Sequence, residues 1–311
     1  MHQVEVKRQM GRGDIAAVAA LLEVSSAHDG HKALGDHQWL DLVDGGREGF
    51  AGLVAWEAGH DHPVGYAQIT RDGHSWALEY TVDPHHRGDP QIAYDLVAAA
   101  CRVVAEEGGG HVHLWRSHPT AESDAVAASV GLTRGRDLLQ LRRPLPLEDR
   151  HRTAAPLPLR AFVPGQDEEA WLQVNNRAFE WHPEQGGWDI ATIKAREAEG
   201  WFDPAGFLLL EEEGRLAGFC WTKVHADHQP PLGEIYVIAV DPDFKGRGLG
   251  RRLTVAGLEH LTARGLTVGM LYVDAGNTPA VGLYTDLGFT TNHVDRAYTG
   301  DVGPAVAPGA G

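Results

Sequence analysis

Two short motifs recur along the chain at nearly one spacing. Val82-Asp83-Pro84 returns 158 positions later as Val240-Asp241-Pro242, and Val130-Gly131-Leu132 returns 157 positions later as Leu287-Gly288-Phe289. Either match alone is weak, but two in order at almost constant offset point to duplication of a whole domain. The length of 311 residues agrees, at about 150 residues per domain. Between the copies, Leu141–Leu159 carries Pro144, Pro146, Pro156 and Pro158, which suit neither a helix interior nor a central strand. The expected division is therefore a first domain over 1–143, a linker over 144–158 and a second domain over 159–299. A frayed Gly/Ala/Pro-rich tail over 300–311 completes it.

Both copies read as the same mixed α/β unit. A helix comes first, over Asp14–Val24 and again over Glu168–Phe179. In the second copy a hairpin follows, Phe207–Glu211 and Leu216–Lys223 about Gly214, then a β-branched strand over Gly233–Val240. A glycine-rich turn leads into a helix over Leu249–Arg264, a strand over Val268–Val273, a helix from about Thr278 to Leu287 and a last strand. Strands first and then alternating helix and strand predict a twisted mixed sheet flanked by helices in each domain.

Composition narrows the partners. Lysine and arginine number 27 against 43 acids, a net charge of −16 that opposes a nucleic-acid backbone. No apolar run reaches the roughly 20 residues a membrane-spanning helix needs, and the first residues lack the apolar core of a secretory leader. The expectation is a soluble cytoplasmic protein that works as a monomer on small molecules. The two cysteines, Cys101 and Cys220, read as buried apolar residues and not as a disulfide. Histidines are many, and His60-Asp-His62, His85-His86 and His111-Val-His113 are close pairs, yet no zinc-type ligand frame appears. No metal is expected.

The most informative stretch is Val240-Asp-Pro-Asp-Phe-Lys-Gly-Arg-Gly-Leu-Gly-Arg-Arg-Leu253. Gly246, Gly248 and Gly250 alternate where a strand gives way to a helix, so backbone N–H groups can converge on one point. The helix N-terminus from Leu249 adds unpaired donors, and Lys245, Arg247, Arg251 and Arg252 add positive charge. A pyrophosphate suits such a turn. A flexible surface loop is the alternative, and the spacing of the glycines differs from the dinucleotide fingerprint.

Here the sequence resembles the GNAT acetyltransferases, whose Arg/Gln-x-x-Gly-x-Gly/Ala turn binds the pyrophosphate of acetyl-CoA. It reads as Lys245-Gly-Arg-Gly248-Leu-Gly250, with lysine in first place. The family's second pattern is present as Asn277-Thr-Pro-Ala280-Val-Gly-Leu-Tyr284-Thr-Asp-Leu-Gly288-Phe289. Further stretches resemble the mycothiol synthase family, a tandem-domain branch. These are Asn175–Phe179, His182–Trp188, Trp201–Pro204, Trp221–His225 and Gly233–Val237.

The resemblance implies acetyl transfer from acetyl-CoA to the cysteinyl amine of desacetylmycothiol, the last step in making mycothiol. It implies Glu234 as general base and Tyr284 as general acid. It places coenzyme on the main chain of Ile238, Ala239 and Val240, on the turn from Lys245 to Arg251 through Gly246, Arg247, Gly248, Leu249 and Gly250, and on Asn277 and Ala280. It implies Asp36, Glu184, Lys223, Glu234 and Tyr272 as acceptor contacts. In the first copy Pro90 and Asp89 replace the glycine pattern, and Ala127 stands where a tyrosine is wanted, so that copy is expected to be catalytically dead. If it holds coenzyme, the main chain of Tyr80, Thr81 and Val82 would be the contact. Two other readings stay open: a tandem GNAT acting on another amine or a peptide N-terminus, and a non-catalytic acetyl-CoA sensor.

Overall fold

A computed structural model describes residues 2–72, 75–151, 157–180 and 187–305, without the side chains of Asp36, His37 and Asp72. In chain order the elements are β1 (Gln3–Lys7), α1 (Arg12–Asp29), α2 (Asp36–Val43), β2 (Phe50–Trp56), β3 (Gly65–Asp72), β4 (Ser75–Val82), α3 (Gln91–Glu106), β5 (Gly110–Ser117), α4 (Ala121–Ser129) and β6 (Thr133–Pro144). The series repeats with β7 (Leu159–Ala161), α5 (Glu168–Ala178), α6 (Ile190–Glu197), β8 (Phe207–Glu212), β9 (Arg215–His225), β10 (Leu232–Val240), α7 (Leu249–Ala263), β11 (Val268–Asp274), α8 (Thr278–Asp286) and β12 (Thr290–Val302). The starts of α3 and α7, at 91 and 249, stand 158 residues apart, as do those of β5 and β11 at 110 and 268. The duplicated mixed α/β units are therefore real. No helix among the described residues is long and apolar enough to cross a membrane.

The chain divides into two compact units, Met1–Asp137 with Val294–Gly311, and Leu138–His293. In the first, β1 to β4 form an antiparallel series, β5 lies parallel to β4, and β12 pairs antiparallel with β5. Ile92, Leu96, Val97 and Val104 on one face of α3 bury against Leu53, Ala67 and Leu78 of the sheet. In the second unit, β7 to β10 are antiparallel, β11 lies parallel to β10, and β6 pairs antiparallel with β11 over 138–144. Its sheet separates two cores. Leu249, Leu253 and Leu258 of α7 pack on Ile235, Cys220 and Leu271. On the other face Trp171, Phe207, Phe219 and Trp221 gather beneath α5 and α6, with Phe207 stacked on Trp221 at 4.3 Å.

The units correct the expected boundaries. The divisions fall at Asp137/Leu138 and His293/Val294, inside β6 and inside β12, instead of at 143 and 299. The last strand of each sequence half completes the sheet of the other. The proline stretch is no free linker either: Leu145 and Leu147 are 7% and 3% exposed in the second unit's core, and only 152–156 lie outside the described residues. Nor is Gly300 the start of a frayed tail. Gly300, Asp301 and Val302 pair with Val112, His111 and Gly110, and the Ala305 N–H donates to Ala105. Backbone donors that find a strand partner outweigh a flexible composition.

Candidate active site

The site begins with a parting of two strands. β10 and β11 pair from Leu232 and Val268 only as far as Ile235 and Leu271, although both strands run on. A bulge between Ile235 and Val237 falls at the parting. The Asp241 N–H donates to Ala217, so the alternation of an antiparallel ladder turns Val237 and Ala239 toward β9. The N–H and C=O groups of Ile238 and Val240 then face the open side, where they have no strand partner among the described residues. Ala239, also expected at the coenzyme, turns its main chain the other way.

The glycine turn follows. Asp241 is 3% exposed, accepts from the Asp243 N–H at 2.9 Å and pairs with Arg177 of α5 at 2.8 Å. That clamp gives the Asn175–Phe179 stretch a job. Gly246 and Gly248 have φ of 80° and 71°, the left-handed region that glycine enters without strain. Gly250 has no such φ, and a Cβ there would meet nothing within 4 Å. Its open side is space that a ligand could fill. Gly248 caps α7 without a side chain, so no side-chain cap takes the first N–H groups of the helix among the described residues. Lys245 and Arg251 have no ion-pair partner among the described residues, whereas Arg247 is held by Glu212 at 3.3 Å and Glu213 at 3.1 Å. Asn277 caps α8 by accepting from the Ala280 N–H at 3.3 Å, which is its visible structural role.

Four polar side chains share one face of the sheet. Glu234 is directly opposite Lys223, and directly opposed residues project to the same side. His225, two positions from Lys223, brings Nε2 to 2.7 Å from Glu234 Oε2. Leu271 and Val273 turn into the α7 core, so Tyr272 projects to the face that carries Glu234. Tyr272 is 40% exposed and its hydroxyl accepts from Gln140 Nε2 at 2.7 Å. Lys223 Nζ sits 4.6 Å over the Trp201 ring and 5.5 Å over Tyr236, so its charge rests on aromatic faces. Glu234 itself is 6% exposed.

Tyr284 lies on the opposite face, in the α7 and α8 core with Phe289 at 5.8 Å. Burial holds its phenol above the ordinary range, and its hydroxyl has no hydrogen-bond partner among the described residues. It is held as a neutral phenol within that core. Cys220 is fully buried and its thiol is pushed up to about 12 by burial; Cys101 is pushed up to about 11 for the same reason. Neither is an activated nucleophile.

The first unit repeats the parting but fills it. β4 and β5 pair from Ser75 and His111 only as far as Leu78 and Leu114, and the Asp83 N–H on Val64 turns Tyr80 and Val82 toward the open side and Thr81 toward β3. Arg116 donates to the Tyr80 carbonyl with its guanidinium 4.0 Å over the ring, and Arg87 Nε donates to the Val82 carbonyl at 3.1 Å. Asp89 Oδ1 takes the Gln91 N–H at the start of α3, where Pro90 has none to give. The anion-binding end of that helix is occupied by the chain's own carboxylate.

Of the expected acceptor contacts, Lys223, Glu234 and Tyr272 meet on one face. Glu184 and the rest of 181–186 lie outside the described residues, as does the side chain of Asp36 at the start of α2. Sequence reasoning missed the part of His225. The signal was there, since Trp221, Lys223 and His225 alternate on one strand, but the partner strand's register is not legible in a single sequence.

The acetyltransferase (GNAT) family pattern matches residues 169–289. A mycothiol acetyltransferase of Acidimicrobium ferrooxidans is 44% identical over 301 residues, covering 95% of this chain and 96% of that protein. One of Thermobispora bispora is 44% identical over 305 residues, covering 95% and 99%. Among solved structures, a GCN5-related N-acetyltransferase of Sphaerobacter thermophilus is similar in fold with a TM-score of 0.71 at 21% identity, covering 97% of both chains. A tandem GNAT protein from the clavulanic acid biosynthesis pathway is similar with a TM-score of 0.68 at 16% identity, covering 98% and 100%. With the parted strands, the open glycine turn and relatives aligned along nearly its whole length, the chain belongs to the mycothiol acetyltransferase family of tandem GNAT enzymes.

Proposed function

We propose that the second unit transfers acetyl from acetyl-CoA to the cysteinyl amine of desacetylmycothiol, giving mycothiol. The observation that carries this reading is the pairing of one buried carboxylate, Glu234, with a strand parting that leads to an unoccupied-by-protein phosphate turn. The pyrophosphate rests on the N–H groups at the start of α7, with Lys245 and Arg251 supplying charge. The arm of the coenzyme takes the place of the missing strand beside Ile238 and Val240.

Glu234 accepts the proton that the substrate ammonium must lose, and His225 holds its carboxylate in place. The freed nitrogen attacks the thioester carbonyl, and the outward N–H of Ile238 stabilises the oxyanion. As the C–S bond breaks, Tyr284 protonates the departing thiolate, and the second proton, shed by the new amide nitrogen, restores the phenol. Lys223, Tyr272 and Glu184 orient the hydroxyl-rich acceptor. The first unit contributes no chemistry, since arginines and Asp89 already use the groups a second coenzyme would need. The reaction takes place in the cytoplasm.

The test is acetyl transfer by the purified chain with desacetylmycothiol and a panel of other amines, with acetylated product read by mass. Strong preference for desacetylmycothiol supports the reading. Turnover with another amine alone replaces the substrate, and coenzyme binding without any turnover favours a sensor.

A further inference from the structure

We propose that Glu57, His60 and His86 in the first unit form a zinc-type divalent metal site that clips the β2–β3 loop to the turn after β4. The three side chains each offer one ligand atom, and these atoms lie within 4.8 Å of one another. Glu57 Oε2 stands 3.5 Å from His86 Nε2 and 3.8 Å from His60 Nε2. Ligand bonds of about 2.0–2.2 Å in a tetrahedral site put neighbouring ligand atoms roughly 3.3–3.5 Å apart, so small side-chain adjustments complete the geometry. Two imidazoles and one carboxylate leave a fourth position for water.

A second observation comes from behind His86. Its Nδ1 is buried without a hydrogen-bond partner among the described residues, 3.4 Å from Oδ1 of Asp83, which is itself 2% exposed. A metal on Nε2 fixes the ring proton on Nδ1, and that proton then has Asp83 to point at. A carboxylate behind a ligating histidine is the usual outer support of such sites. Asp83 is held in turn by accepting from the His85 N–H at 2.7 Å. The His60 and His86 rings meet edge to face at 4.5 Å, so the loop and the turn already touch where the ion would join them. The donor set favours zinc, nickel and copper over magnesium or calcium, which take oxygen ligands.

The test uses the full chain, free of any affinity tag and stripped with a chelator, titrated with Zn²⁺ by calorimetry and with Co²⁺ by visible absorption. The expected result is one equivalent bound with micromolar or tighter affinity, a four-coordinate Co²⁺ spectrum and a raised melting temperature. His60→Gln, on an exposed loop, and Glu57→Gln should each weaken binding at least tenfold. His111→Gln with His113→Gln, which removes the half-buried pair on β5, should leave it unchanged. Unchanged affinity in His60→Gln and Glu57→Gln, or no saturable binding below millimolar metal, overturns the site.

Discussion

His225 Nε2 and Glu234 Oε2 stand 2.7 Å apart on adjacent antiparallel strands, and Glu234 is 6% exposed. A buried carboxylate is costly without a partner, so the imidazole both satisfies Glu234 and fixes which way it points. Replacing Glu234 by Gln keeps the shape and removes the proton acceptor. Turnover should fall about 10²–10⁴-fold, the usual worth of a general base, while acetyl-CoA affinity holds. Near-normal turnover would remove Glu234 from the chemistry.

His225 acts through Glu234 and is a positioning residue. His225→Ala should lower kcat roughly tenfold with little change in the KM for acetyl-CoA, and His225→Gln should recover part of the loss because it keeps a donor. Equal losses in both variants together with a lower melting temperature would reduce the role to packing.

Tyr284 is kept protonated by burial, above the ordinary tyrosine range. A raised pKa means that the folded protein holds this proton as pH rises through about 10, where a free phenol would lose it. The pH profile of kcat should therefore show no Tyr284-dependent decline below about pH 10. Tyr284→Phe should lower kcat about 10²-fold at all neutral pH values. An alkaline limb near pH 9 that vanishes in the Phe variant would contradict the assignment.

Gly250 separates binding from folding. Its backbone is helical and a Cβ would meet nothing in the protein, so Gly250→Ala should stabilise the fold by about 0.5–1 kcal/mol. The same methyl intrudes on the space assigned to the pyrophosphate, so acetyl-CoA affinity should fall several-fold. A more stable variant with unaltered affinity would move the phosphate elsewhere.

The cysteines provide a control on burial. With thiols pushed up to about 12 and about 11, Cys220 and Cys101 should react negligibly with a disulfide reagent at pH 8 in the native protein. Both should react once the chain is unfolded. Rapid native labelling would show that one of these cores opens readily.

Much of this was legible in one sequence because the signals are local. The hairpin about Gly214, the strand ending at Val240 and the helix after Gly248 follow from short-range periodicity, and the structure places them within a residue or two. The first helix is longer than expected, Arg12–Asp29 instead of Asp14–Val24, with Gly11 at its N-cap. Asp14 instead accepts from the Gly11 N–H at 3.2 Å, as a residue three places into a helix does. What stayed hidden depends on register and long-range pairing. Nothing in the spacing of His60 and His86 shows that they meet, and nothing around Gly300 shows that it has a strand to join.

The exchanged last strands set the order in which the protein can come into being. The first unit's sheet lacks its outer strand until the residues from Asp295 to Val302 leave the ribosome, although nearly all its other elements are made before residue 138. A nascent chain cut near the middle carries an unpaired edge at β5, a template for wrong pairing. Synthesis must pass through the whole second unit before the first is finished, and a gene that lost one copy would leave the survivor without the strand that closes its sheet.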